Sequence, residues 1–203
     1  MNAPRLRAGR VHLDALRRAL GAVDPELPRL EAWGNELAAR LTTGARLLAA
    51  GNGGSAAHAQ HLTAELVGRY QDERAPLSAI ALHAESSSVT AIVNDYGADA
   101  LFARQVTAHG RPGDVLAVFS TSGCSSNLVA AAATARDSGL RVWAVTGPTP
   151  NPLASGAHDV LSVPSPHTPT IQEVHQVIVH LVCGYVDAAL STMSSSAREV
   201  QLT

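Results

Sequence analysis

Residues Gly51–Tyr70 read GNGGSAAHAQHLTAELVGRY and follow directly on the apolar run Ala45–Ala50. Three glycines in four positions give way to Ala56, Ala57, Ala59, Leu62, Ala64, Leu66 and Val67, which is helical text. The order is strand, glycine turn, helix N-terminus. Gly51, Gly53 and Gly54 are able to take φ > 0 and to let another group approach the backbone. Beyond them, Ser55 and the first free N–H groups of the helix are expected to face an open space. The helix dipole favours an anion there, and a phosphate is the natural occupant. About two turns further on, His61 and Glu65 stand four apart and share one helix face. The run is not a phosphate-loop motif, because no Gly-Lys-Ser/Thr follows, nor is it a full dinucleotide fingerprint. Alone, a His–Glu pair at this spacing is an ordinary solvated contact. The combination of an anion cradle with an imidazole and a carboxylate beside it is less ordinary.

On either side of this stretch the pattern changes character. Upstream, Val11–Leu20 is a helix candidate with Leu13, Leu16 and Leu20 on one side. A second helix starts at Asp24-Pro25-Glu26, where Asp24 can cap and Pro25 fits the first turn, and runs to about Thr43 before Gly44 stops it. Downstream, apolar runs recur at Ser78–Leu82, Val115–Phe119, Val142–Thr146 and Val160–Val163. Helical patterns lie between the runs, at Ala56–Tyr70, Ser86–Val93, Leu101–His109 and Asn127–Ser138, and Thr170–Leu190 closes the chain as a long helix. Strands apolar throughout, alternating with helices, indicate a parallel sheet covered on both faces. The reading is a single α/β domain of three layers, α/β/α. Its N-terminal helical hairpin covers residues 1–44, its α/β core 45–190, and a serine-rich tail expected to fray covers 191–203.

Composition narrows the function. Charged residues are 16% against 46% hydrophobic, which excludes a disordered chain. Net charge is −2, from 15 basic and 17 acidic residues, with no basic stripe, and aromatics are only 3%; both argue against a nucleic-acid partner. Cys124 and Cys183 form no metal or redox motif and suit a reducing cytosol. No uninterrupted apolar run reaches membrane-spanning length. The arginine-rich N-terminus contains Asp14 and reads as a surface helix rather than a transit peptide.

Ligands of such sheets bind at the carboxyl ends of the strands. Two loops belong there: Gly51–Ser55, and Ser120-Thr121-Ser122-Gly123-Cys124-Ser125-Ser126 between Val115–Phe119 and the helix from Asn127. One serine suffices for a helix cap. Five hydroxyls beside fresh N–H groups point instead to a phosphate cradle. With no lysine or arginine in the loop, the grip would come from neutral dipoles.

Four segments, GNGGSAAHAQH…E, AIVNDYG, STSG-x-S and IQEVH…H, together resemble the sugar isomerase (SIS) domain family, and within it the sedoheptulose-7-phosphate isomerase branch. GNGGS and STSG alone indicate the domain; His61, Glu65, Gln172 and His180 together mark the isomerases. The resemblance implies a flavodoxin-like five-stranded parallel sheet and a homotetramer with active sites at subunit interfaces. It implies a zinc ion held by His61, Glu65, Gln172 and His180, with Glu65 and His180 as the acid/base pair. By the same resemblance, Asn52, Gly53, Gly54, Ser55, Glu65, Asn94, Asp95, Ser120, Thr121, Ser122, Ser125 and Gln172 would bind the sugar phosphate. Within the last helix His175 and Gln176 are rivals for the metal. Two departures bear on specificity: Cys124 stands where the family commonly has asparagine, and Pro169 where the isomerases often carry an aspartate able to reach sugar hydroxyls. Arg69, which many of them share, is present.

The expected reaction moves a proton between C1 and C2 of a ketose phosphate through an enediol, and a nitrogen/oxygen ligand set fits zinc without excluding Mn²⁺, Ni²⁺ or Fe²⁺. Two other functions compete. Some SIS relatives bind the bacterial replication initiator but lack the acid/base set found here. Others are sugar-phosphate sensors joined to DNA-binding modules, and no helix-turn-helix or basic stretch accompanies this domain.

Overall fold

The computed structural model describes the backbone of residues 3–201 and the side chains of residues 6–195. In chain order the elements are α1 (Ala3–Gly21), α2 (Leu27–Thr42), β1 (Leu47–Gly51), α3 (Gly54–Val67), β2 (Ala79–Ala81), α4 (Ser86–Tyr96) and α5 (Leu101–His109). They continue with β3 (Val115–Ser120), α6 (Ser126–Asp137), β4 (Arg141–Thr146), α7 (Pro152–Gly156), β5 (Asp159–Ser162) and α8 (Thr168–Gln201). The strands form one parallel sheet in the order β2-β1-β3-β4-β5. This is the flavodoxin-like order, whose direction reverses between β1 and β3.

The apolar-throughout strands explain the layering. Successive side chains of a strand point to opposite faces. Leu47, Ala49, Val115, Ala117, Phe119, Trp143 and Val145 enter one core, shared with α2, α3 and α8. Leu48, Ala50, Leu116, Val118, Val142 and Ala144 enter the other, shared with α5 and α6. On the first face Trp33 of α2 stacks on Trp143 with ring centroids 4.7 Å apart and passes its indole N–H to Asp159, 2.8 Å away.

Several local expectations change. Asp24 does not cap α2: residues Asp24–Glu26 form a 3₁₀ turn, no side chain caps it, and the α-helix starts at Leu27 with Pro28 in its first turn. Leu16 and Leu20 pack on the core, but Leu13 is exposed. The short α7 was hidden in the Pro- and Gly-rich stretch after β4. It is capped by Asn151, whose side chain accepts from the Ala154 N–H. The tail expected to fray from Ser191 is helical to Gln201, and residues 202–203 lie outside the described part. Its hydroxyls turn back on their own helix: Thr192 donates to the Ala188 carbonyl, Ser194 to Leu190 and Ser195 to Ser191. That bonding makes serine and threonine compatible with a helix interior. By length and composition Thr168–Ser195 is long and apolar enough to cross a membrane. In this fold it packs instead against α1, α2 and α3.

Candidate active site

β1 and β3 are adjacent, with Gly51 level with Phe119, so the loops that follow them lie side by side at the reversal point of the sheet. Asn52 and Asn127 tie them together through paired amides: Asn52 donates to Asn127 Oδ1 at 2.9 Å, and Asn127 returns a bond to Asn52 Oδ1 at 3.0 Å. Of the glycines in the first loop only Gly53 takes φ > 0, at 54°, as the residue that caps α3. Gly54 matters for a different reason, since the Gln172 side chain lies where a Cβ would stand. Ser55, expected to face the open space, is 4% exposed, because α3 begins one residue before it.

The hydroxyls of the second loop divide the work. Ser120 is buried and accepts the Gly123 N–H at 3.1 Å, fixing the turn. Ser122 is exposed and accepts the Cys124 N–H at 3.2 Å. Ser126 donates to Asp99, and Ser125 stands at the N-cap of α6 without capping it through its side chain. The sequence alone does not explain Ser122 and Ser125 as caps, and both remain available to a ligand. Replacing Ser122 by Ala should therefore weaken phosphorylated ligands by about 1 kcal/mol, or up to roughly 3 if the bond is charge-assisted. Isothermal titration should show little change for the unphosphorylated sugar; equal weakening of both would move the phosphate elsewhere.

The candidate chemical groups lie along the seam between α3 and α8. The two helices run side by side in the same direction, so Gly54 is level with Gln172, His58 with Gln176, and His61 with His180. His61 Nε2 is 3.0 Å from Glu65 Oε1 and 3.2 Å from His180 Nε2. The ligand atoms of His61, Glu65 and His180 all lie within 4.8 Å of one another, and all three residues are half-buried. An open groove of about 420 Å³, lined by Tyr70, Val177, His180, Leu181 and Tyr185, adjoins them. By helix rise the triad begins ~10 Å from the cradle at Gly54, seven residues earlier. That is the scale of an extended sugar phosphate.

Other expected residues lie apart within this chain. Gln172 sits at the cradle end of the seam, two turns from His180, and not with the triad. Asn94 and Asp95 are exposed on the last turn of α4 and bond each other at 2.8 Å. Among the described residues neither reaches the loops or the triad through a hydrogen bond. Arg69 is exposed and donates to the Gln71 carbonyl. Pro169 is exposed in the first turn of α8, a position where proline costs nothing. Of the two rivals in α8, His175 turns fully into the core against Phe119 and His58, and burial pushes its pKa down to about 4, so it stays neutral. Gln176 lies beside the triad, 3.1 Å from His180. Cys183 is buried and its thiol is pushed up to about 12 by burial, which makes it inert, whereas Cys124 is exposed on the loop after β3.

Sequence reasoning passed over Asn127, His58 and Arg74. Arg74 follows α3 and is almost buried, with its side chain 10% exposed. Its guanidinium donates to the carbonyls of Glu65 at 2.7 Å and Leu66 at 3.0 Å, and to Asp187 of α8 at 2.8 Å. It thereby satisfies the orphan Glu65 carbonyl at the end of α3 and shares the Leu66 carbonyl with the Leu77 N–H.

Known proteins share both the sequence and this architecture. The SIS domain profile matches residues 12–147, which include both loops, His61 and Glu65. A phosphoheptose isomerase of Streptomyces coelicolor is 60% identical over 187 residues, covering 92% of this chain and 81% of that protein. A solved phosphoheptose isomerase from Francisella tularensis superposes with a TM-score of 0.83 at 34% identity, covering 93% of this chain and 99% of that one. Another, from Neisseria gonorrhoeae, gives 0.80 at 37% identity, covering 93% and 100%. With the flavodoxin-like strand order, the two loops at its reversal point and these matches, the chain belongs to the SIS domain family and, within it, to the phosphoheptose isomerases.

Proposed function

We propose that this protein interconverts sedoheptulose 7-phosphate and D-glycero-D-manno-heptose 7-phosphate, the first step of activated heptose formation. The observation that carries this reading is the placement of His61, Glu65 and His180 about one sugar-phosphate length along α3 from a neutral anion cradle. The relatives described above are named phosphoheptose isomerases, which supports the reading. The phosphate would rest on the hydroxyls and N–H groups of Thr121, Ser122 and Ser125, in the loop that leads into the N-terminus of α6. The reacting carbons would then lie at the α3–α8 seam.

The donor set fits a divalent metal. Two imidazoles and one carboxylate converge without a thiolate, and three protein ligands leave a position open for substrate, as catalytic sites do. Zinc suits this set, and the harder first-row ions are compatible. When bound, the metal would polarise the substrate carbonyl. Glu65 has two oxygens with different duties. Oε1 faces His61, which leaves Oε2 to carry the proton between C1 and C2. His180 would move the proton at oxygen. Homotetramer assembly and cytoplasmic placement belong to the same reading. In support of assembly, α4 has no buried residue in the single chain although it carries Val93 and Tyr96, both exposed. A partner surface could complete the site with Asn94, Asp95 and Gln172.

The test is direct. Pure protein incubated with sedoheptulose 7-phosphate should yield the aldose phosphate by NMR. Stripping divalent metal with a chelator should abolish the conversion, and zinc should restore it. No product from the metal-loaded protein would refute the assignment, and full activity in rigorously metal-free protein would remove the metal from it.

A further inference from the structure

The loop after β3 is propped by the segment that follows β4. The Gly147 N–H donates to the Ser120 carbonyl at 3.3 Å, and the Leu153 N–H donates to the Gly123 carbonyl at 2.9 Å. Between these two donors in the sequence stands Asn151, which is 7% exposed. Its side chain fills the space beside Gly123, where an added Cβ would run into it. Gly123 itself takes φ +62°, a left-handed value open to glycine. The turn is closed by the Gly123 N–H on Ser120 Oγ, so Asn151 packs against the residue that closes it.

The sequence around Asn151 makes it rigid. It lies between Pro150 and Pro152. A residue before proline is driven to extended backbone, and Asn151 has φ −151° and ψ 160°. Its Oδ1 caps α7 by accepting the Ala154 N–H at 2.8 Å. Its Nδ2 donates to the Pro148 carbonyl at 3.1 Å and to Thr146 Oγ1 at 3.3 Å. The Pro148 carbonyl can only accept and the Ala154 N–H can only donate, so the orientation of the amide is settled. All three bonds stay within residues 146–154. Toward Gly123 the side chain therefore offers shape, and none of its polar atoms competes for one that a ligand would need.

We propose that Asn151 is a positioning residue for the anion cradle: by filling the space beside Gly123 it holds the turn from which Thr121, Ser122 and Ser125 present their hydroxyls and N–H groups. The inference rests on the reading of that loop as the phosphate site. The loop contains no lysine or arginine, so its grip depends on several neutral donors converging at once. Donors held in place before the anion arrives need no reordering when it binds. The cap of α7 alone would not require asparagine, since serine or aspartate serves as well. What asparagine adds is an amide long enough to reach Gly123 and tied down at both of its ends.

The test reads the loop and the binding separately. Asn151→Ser keeps a hydroxyl able to cap α7 but withdraws the side chain from Gly123. In ligand-free protein the Gly123 amide should then exchange with D₂O at least about tenfold faster by NMR, because its bond to Ser120 opens more often. KM for sedoheptulose 7-phosphate should rise about tenfold or more, as for a lost hydrogen bond to a charged group. The kcat should stay within about twofold of wild type, since the phosphate is held alike in the ground and transition states. Binding of unphosphorylated sedoheptulose should be unchanged. Gly123→Ala crowds the same contact from the other side and should raise KM likewise. The double variant should be no worse than the poorer single one, as expected of two residues that share a contact. If the wild type bound no sugar phosphate, the reading of the site would fall, while the exchange rates would still decide whether Asn151 holds the loop. Unchanged Gly123 exchange in Asn151→Ser overturns the proposal. So does faster exchange with an unchanged KM, equal weakening of both sugars, or fully additive effects in the double variant.

Discussion

Glu65→Gln should leave a protein that binds sugar phosphate and metal but no longer turns the substrate over. The substitution preserves shape and one oxygen acceptor while removing the base. Since general base catalysis contributes about 10²–10⁴ in rate, kcat should fall by that factor. The exchange of substrate C–H protons with D₂O, followed by NMR, should fall with it. Metal content has to be measured on the same sample, because Glu65 is also one of three converging donors. A metal-loaded variant that still exchanges those protons at the wild-type rate would reduce Glu65 to a ligand and pass the carbon proton to His180.

The largest stability effect should come from a residue that touches no substrate. Arg74→Met removes a guanidinium whose side chain is 10% exposed and leaves its partner Asp187, 13% exposed, without a counter-charge. Breaking a buried pair from one side typically costs 3–5 kcal/mol, about the same range expected here. The Glu65 carbonyl at the end of α3 loses its Arg74 donor as well, while the Leu66 carbonyl keeps the Leu77 N–H. Urea denaturation should show the midpoint fall accordingly, and Arg74→Met with Asp187→Leu should recover much of the loss, because no charge is then stranded. A single variant with an unchanged midpoint would show that the pair contributes nothing net. The double variant would also report on chemistry: α3 would lose a tie to α8 near Glu65, so recovery of stability without recovery of kcat would separate the two roles of Arg74.

How much of this was legible beforehand depended on distance along the chain. The strands were readable because each has an apolar centre flanked by glycine or proline, and both loops at the carboxyl ends of β1 and β3 were readable because their composition is local. His61 and Glu65 fall on one helix face, so spacing sufficed. The contribution of α8 was not open to spacing. Gln172 and His180 are eight residues apart, ~12 Å of helix rise, and the parallel seam sets them level with different residues of α3. His58 and Gln176 meet across 118 positions and Arg74 and Asp187 across 113. No periodicity within either segment announces such a pairing; only the docking of α8 does. Asp24 and Leu13 show the converse limit. Their local signals were genuine, but the 3₁₀ turn and the course of α1 over the core decided otherwise.

The parallel seam also has a consequence in time. His61 and His180 are separated by 119 residues, so at translation rates of 5–20 residues per second His180 is synthesised roughly 6–24 s after His61. All five strands and both loops precede α8 in the chain. A nascent or carboxyl-terminally truncated chain can thus contain every strand of the sheet and the whole anion cradle while lacking one corner of the reactive triangle. On the proposed reading, the groups that would hold the phosphate and those that would transform the sugar are completed at different times, the second only when the last helix docks.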